Sequence, residues 1–78
     1  MDETNRRELP RVVVYPPLDG RRRVTIDGRD VGVAVAPDEV ALMMRRAGVP
    51  ADRIALDDPD LVEWQGGGRD AWLAAPPG

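Results

Sequence analysis

The side chains of this 78-residue chain best suited to chemistry are arginines and aspartates, and they come in clusters. Arg21-Arg22-Arg23 is the densest positive run. Guanidinium groups suit phosphate and guanine, and a two-stranded β-ribbon fits a DNA major groove. Arg21 and Arg23, extended by Arg6, Arg7 and Arg11, therefore define a nucleic-acid reading. Strand alternation sends Arg22 to the face opposite Arg21 and Arg23, no aromatic residue interleaves the cluster, and the chain carries a net charge of −3. The competing reading is a solvated strand end whose charges deter edge-to-edge association.

Asp57, Asp58 and Asp60 form a carboxylate cluster. A calcium site wants roughly six or more oxygen ligands in a defined loop. The spacing here is not that of an EF-hand, and Pro59 stiffens its middle, so capping or a solvated turn is expected. Gly66-Gly67-Gly68-Arg69 resembles an anion cradle, since loop amides can surround a phosphate. The phosphate-loop motif, however, requires a lysine followed by Ser or Thr, and the chain has no lysine. A dinucleotide fingerprint needs spaced glycines inside a longer βαβ unit. A tight turn is the expectation.

With no Cys, His, Ser or Lys, the chain cannot build a Ser-His-Asp triad, a thiol nucleophile or a Schiff base. A domain this short does not readily build both a core and a deep pocket. No catalytic residue, cofactor site or metal ligand is assigned, and the chain is expected not to be an enzyme. All eleven basic residues being arginine, beside abundant Ala, Val, Gly and Pro, fits a GC-rich genome. The first eight residues lack the apolar segment of a signal peptide, and no apolar run approaches the roughly 20 residues of a membrane span. The cytoplasm is the expected compartment, with no membrane partner.

The elements that would position these groups read as follows. Residues 1–10 are expected to be a flexible arm, 11–73 a single domain and 74–78 a flexible tail. Arg11 to Tyr15 reads as a strand stopped by Pro16-Pro17, and Leu18-Asp19-Gly20 turns the chain. A hairpin follows, turning at Asp27-Gly28 or over Asp27 to Asp30. Either loop puts Val24, Ile26, Val31, Val33 and Val35 on one face, expected to be core, and Thr25, Gly32 and Ala34 on the other. Pro37 suits a first helical position, Asp38 and Glu39 the positive end of a helix, and Gly48 its stop. Val40, Met43, Met44 and Ala47 form the expected buried stripe. Arg53 to Leu56 is read as a short strand. Leu61 to Gln65 is either one helical turn capped by Asp58 or a strand, and Arg69 to Leu73 is a last strand. Trp64 and Trp72 are expected at the core or its edge. The fold class is α+β: one amphipathic helix on an antiparallel sheet of three to five short strands.

The expected function is a small non-catalytic protein-interaction or accessory module, its partner another protein or a second copy. Two surfaces are proposed by the sequence. One is Val12-Val13-Val14, able to add to a partner's sheet. The other is Leu42, which falls on the polar side of the helix beside Arg45 and Arg46.

Overall fold

Turn chemistry sets the first half of the chain. In the computed structural model, which describes residues 10–72, strand β1 (Val12–Val14) leads to a two-residue turn at Asp19-Gly20. Reciprocal bonds close it, Leu18 N–H to Arg21 O at 2.8 Å and Arg21 N–H to Leu18 O at 3.0 Å. Strand β2 (Arg22–Ile26) follows, then a second two-residue turn at Asp27-Gly28 and strand β3 (Arg29–Ala34). Asp19 and Asp27 have φ of 55° and 54°, the backbone sign that hairpin turns following the right-handed strand twist demand. Helix α1 (Pro37–Arg46), a 3-10 turn (Ala51–Arg53) and strand β4 (Val62–Trp64) complete the fold. The expected arm over 1–9 and tail over 74–78, with Leu73, lie outside the described residues.

The four strands lie in the order β3-β2-β1-β4. β1 pairs antiparallel to β2 and parallel to β4, with Val12 opposite Val62 and Val14 opposite Trp64. The sheet is therefore mixed rather than antiparallel, because the helix and the segment after it carry the chain back before β4 begins. One helix on a four-stranded sheet makes this a single α+β domain. The same pairing corrects the expectation of a free strand at Val12-Val13-Val14. β1 is flanked on both sides, and Val12 and Val14 are fully buried. It has no open backbone edge to offer a partner.

The hairpin departs from the expected face assignment for one reason. Ile26 pairs with Arg29 and Thr25 with Asp30, but Val24 pairs with Gly32, so Val31 is an extra residue in β3. This β-bulge shifts the register by one, and a one-residue shift exchanges the two faces of everything beyond it. Ala34 thereby enters the core opposite Arg22, while Val31, Val33 and Val35 are exposed. The core is built from Val12, Val14, Val24, Ile26, Ala34 and Val62, covered by Val40 and Met44 of α1 and by Val49 and Leu61. Full burial of such side chains stabilises by about 1.5–3 kcal/mol each.

Helix α1 packs on β3, with Met43 over Gly32, whose backbone conformation is what calls for glycine. A Cβ at Gly32 would stand 3.5 Å from Met43 Cε, and its φ of 128° is one that L-residues rarely adopt. The N-cap, Ala36, offers no side-chain hydrogen bond. Glu39 Oε1 instead accepts the Val35 N–H at 2.8 Å. At the other end Gly48 N–H reaches Arg45 O and Val49 N–H reaches Met44 O, both at 3.0 Å. Buried Val49 and Met44 give this double closure its apolar contact. Ala47, expected in the buried stripe, is exposed beyond the last turn, and Met43 is half-buried.

Beyond the helix, Arg53 to Leu56 forms no strand. Asp58 O accepts the N–H groups of Leu61 (3.0 Å) and Val62 (2.9 Å), and its Oδ1 accepts that of Asp60 at 2.9 Å. The resulting turn launches β4, so the strand alternative for 61–65 is the one realised. On the outer face Glu63 joins β4 to the start of β1. It accepts Gln65 Nε2 at 2.7 Å and Arg11 Nη2 at 2.9 Å, and these bonds hold its carboxyl below the usual range.

Two outcomes are expected. Gly32→Ala should cost about 1–3 kcal/mol in urea unfolding, because the strained φ persists whatever space is found for the methyl. A depressed native carboxyl adds stability above its unfolded value and loses it as pH falls through the lower native one. The urea midpoint of the parent chain should therefore drop toward that of Glu63→Gln on acidification to about pH 3. A gap that widens on acidification would contradict this.

Candidate functional site

Arg22 occupies the core face of β2, and its side chain is fully shielded from solvent. A guanidinium has five N–H donors, and here every one meets a backbone carbonyl. Nε donates to Tyr15 O at 2.8 Å. Nη1 donates to Gly68 O at 2.8 Å and Ala71 O at 2.6 Å. Nη2 donates to Gln65 O at 2.6 Å and Gly67 O at 3.1 Å. The guanidinium carbon also lies 5.3 Å from the Trp64 ring centre and 5.5 Å from that of Trp72. The two rings meet edge to face, 6.3 Å apart at 81°. Trp64 Nε1–H is bonded to Leu56 O at 2.8 Å, and Trp72 Nε1–H to Arg69 O. Burial pushes the Arg22 pKa down, yet a guanidinium keeps its proton in proteins. Among the described residues the charge is balanced by carbonyl dipoles and ring faces, without a carboxylate.

This cage explains the glycine run. Around Arg22 the loop turns carbonyls inward, toward a cation, whereas a phosphate cradle turns amides inward. A Cβ at Gly66 would come within 2.7 Å of Pro16 Cβ, so the loop can lie against the β1–β2 connection only with glycine there. The segment from Arg69 to Trp72 is consequently loop rather than the expected last strand. Sequence reading missed Arg22 as an anchor. The signal was present: alternation places Arg22 with Val24 and Ile26, the two β2 residues assigned to the core.

Arg21 and Arg23 sit on the other side of the sheet. With Tyr15, Pro16, Leu18, Asp19 and Val33 they line an open groove of about 330 Å³ between the Asp19-Gly20 turn and the outer sheet face. Leu18 is 74% and Val33 47% exposed. Arg23 is paired with Asp30 of β3. Arg21 takes part in none of the ion pairs found among the described residues. Sequence reading missed Tyr15, Leu18 and Val33 as a surface; the clue was Gly32, since glycine inside a strand marks a bulge.

Leu42 is 44% exposed on α1, and Arg45 and Arg46 are exposed near it in the chain. They lie on the helix, apart from the groove lining. Asp57 pairs with Arg69 at 3.1 Å, while Asp58 serves its own turn; among the described residues no three acidic side chains gather as a metal site. Among those residues, too, no helix is long and apolar enough to cross a membrane. No protein-family model, curated protein or solved structure matches this chain.

Arg22→Met keeps the length of the side chain but leaves the inward carbonyls without donors. It should lose about 1–3 kcal/mol or more, the cost of leaving a buried acceptor unsatisfied. Arg22→Lys, with three donors on a point charge, should recover only part of that loss. Urea unfolding followed by tryptophan fluorescence measures both. Equal stability of Arg22→Met and the parent chain would refute the role assigned to the cage.

Proposed function

We propose that this chain is a non-catalytic interaction module that docks a partner protein on the outer face of its sheet. The observation that carries the reading is the exposure of Val33, beside Tyr15 and Leu18, on the face opposite α1. An alternating valine strand is normally held against a core. Here the bulge turns Val33 and Val35 outward, and the helix covers only the opposite face. Apolar side chains gathered in a groove with a polar rim fit the anatomy of a protein-binding patch. The absence of Cys, His, Ser and Lys supports the non-catalytic part.

The nucleic-acid reading draws less support. Arg22 serves the fold and Arg23 is held by Asp30, which leaves Arg21 as the one cation of the triplet without an ion pair among the described residues. The Leu42 side of α1 offers one exposed apolar residue rather than a groove.

The test is capture by the tagged full chain from extract of the cells that make it, with two surface variants in parallel. Val33→Asp should reduce retention of the specific partner by about 10-fold or more, as loss of a central contact does. Leu42→Asp should retain it. Near-UV circular dichroism of the tryptophans checks that both variants are folded. Retention by Val33→Asp with loss in Leu42→Asp would move the site to the helix. Retention that disappears between low and physiological salt would favour nucleic acid.

A further inference from the structure

We propose that the groove beside the Asp19-Gly20 turn selects an acidic, apolar peptide segment, with a carboxylate on Arg21 and an aliphatic or aromatic side chain on Tyr15, Leu18 and Val33. The inference rests on the docking reading above and specifies the partner's chemistry.

Three observations carry it. First, the rim is preorganised. Leu18 and Arg21 flank a turn closed by two backbone hydrogen bonds, at 2.8 and 3.0 Å, so their Cα positions are fixed before anything binds. Second, the rim carries a cation that the fold does not use. Arg23 is paired with Asp30, while Arg21, which also lines the groove, joins none of the ion pairs among the described residues. Third, Tyr15, Pro16, Leu18 and Val33 give the lining an apolar majority, and its volume of about 330 Å³ admits side chains rather than a folded element. A phosphate-rich strand would meet hydrocarbon across most of that lining. A carboxylate beside a bulky apolar side chain satisfies both parts, and an arginine–carboxylate bond at the edge of a dry contact is the stronger, charge-assisted kind.

The chain's overall negative field favours cationic ligands at long range. A preference for an acidic peptide therefore has to arise from local contact, and the shifted amides show whether that contact is with this rim or with the exposed arginines of α1. The probes are two end-blocked hexapeptides with the same central leucine–tyrosine pair, one flanked by two glutamates and the other by two lysines. Each is titrated into the full, nitrogen-15-labelled chain. The glutamate peptide should shift the backbone amides of Leu18, Arg21 and Val33 and bind about 10-fold more tightly than the lysine peptide, a rim-charge effect of that size being about 1.4 kcal/mol. Arg21→Glu should abolish or invert the preference, with the remaining amide spectrum unchanged.

Equal binding of both peptides in the groove would overturn the acidic preference and leave the docking reading standing. Tighter binding of the lysine peptide, or shifts confined to α1, would overturn the inference. Absence of shifts from either peptide would overturn it too, and the docking reading would then stand or fall with Val33→Asp. Groove shifts that depend on protein concentration without peptide would replace the acidic segment by a second copy of the chain.

Discussion

A buried guanidinium without a carboxylate partner is the constraint around which this fold is arranged. Removing such a charge from water costs several kcal/mol, and only a full set of acceptors at hydrogen-bond distance offsets it. Five carbonyls supply that set, and they come from two places, the end of β1 and the loop after β4. β2 provides the arginine, β4 provides Trp64, and the loop brings Trp72 to the same group. In a domain with neither disulfides nor a large core, one side chain thus does what a cross-link does elsewhere: it fixes the last described segment to the middle of the sheet.

The same triplet divides between the two faces of the sheet. Arg22 turns inward to the cage, and Arg21 and Arg23 turn outward to line the groove. The bulge at Val31 does the equivalent for the valines. It supplies Ala34 to the core, where it lies opposite Arg22, and delivers Val33 to the groove. Had the register continued without the extra residue, Val33 would have faced the core in place of Ala34, and the outer face would have lost its apolar floor.

Local signals in the sequence were read well where the physics is local. The two turns, strands β1 to β3 and both ends of α1 follow from Asp-Gly pairs, β-branched runs, Pro37 and Gly48, each acting within a few residues. What was misread depends on distant pairing. Gly32 pointed to a bulge, but the register β3 takes beyond it is set by its pairing with β2 and by which face the helix covers. The parallel entry of β4 depends on the path of the whole connection from Ala47 to Leu61, which carries no periodic pattern. The arginine triplet looked like a surface patch because charge is normally solvated; its middle member is internal only because a glycine loop more than 40 residues later can wrap it. The groove was hidden for the same reason, since its valine is apolar in sequence and outward only after the bulge.

The parallel pairing of β1 with β4 bears on how the molecule is made. A ribosome releases the chain from its amino end, so the hairpin and helix emerge while the interior arginine still lacks most of its acceptors. Four of those five carbonyls lie between Gln65 and Ala71, 43 to 49 residues downstream of Arg22. Until that stretch is out, Arg22 lacks the carbonyls that cover it and β1 has an open side, and joining groups so far apart in the chain carries a larger loop-closure entropy than forming the hairpins. The segment from Gln65 to Ala71 is thus what joins the early hairpins to the rest of the described sheet.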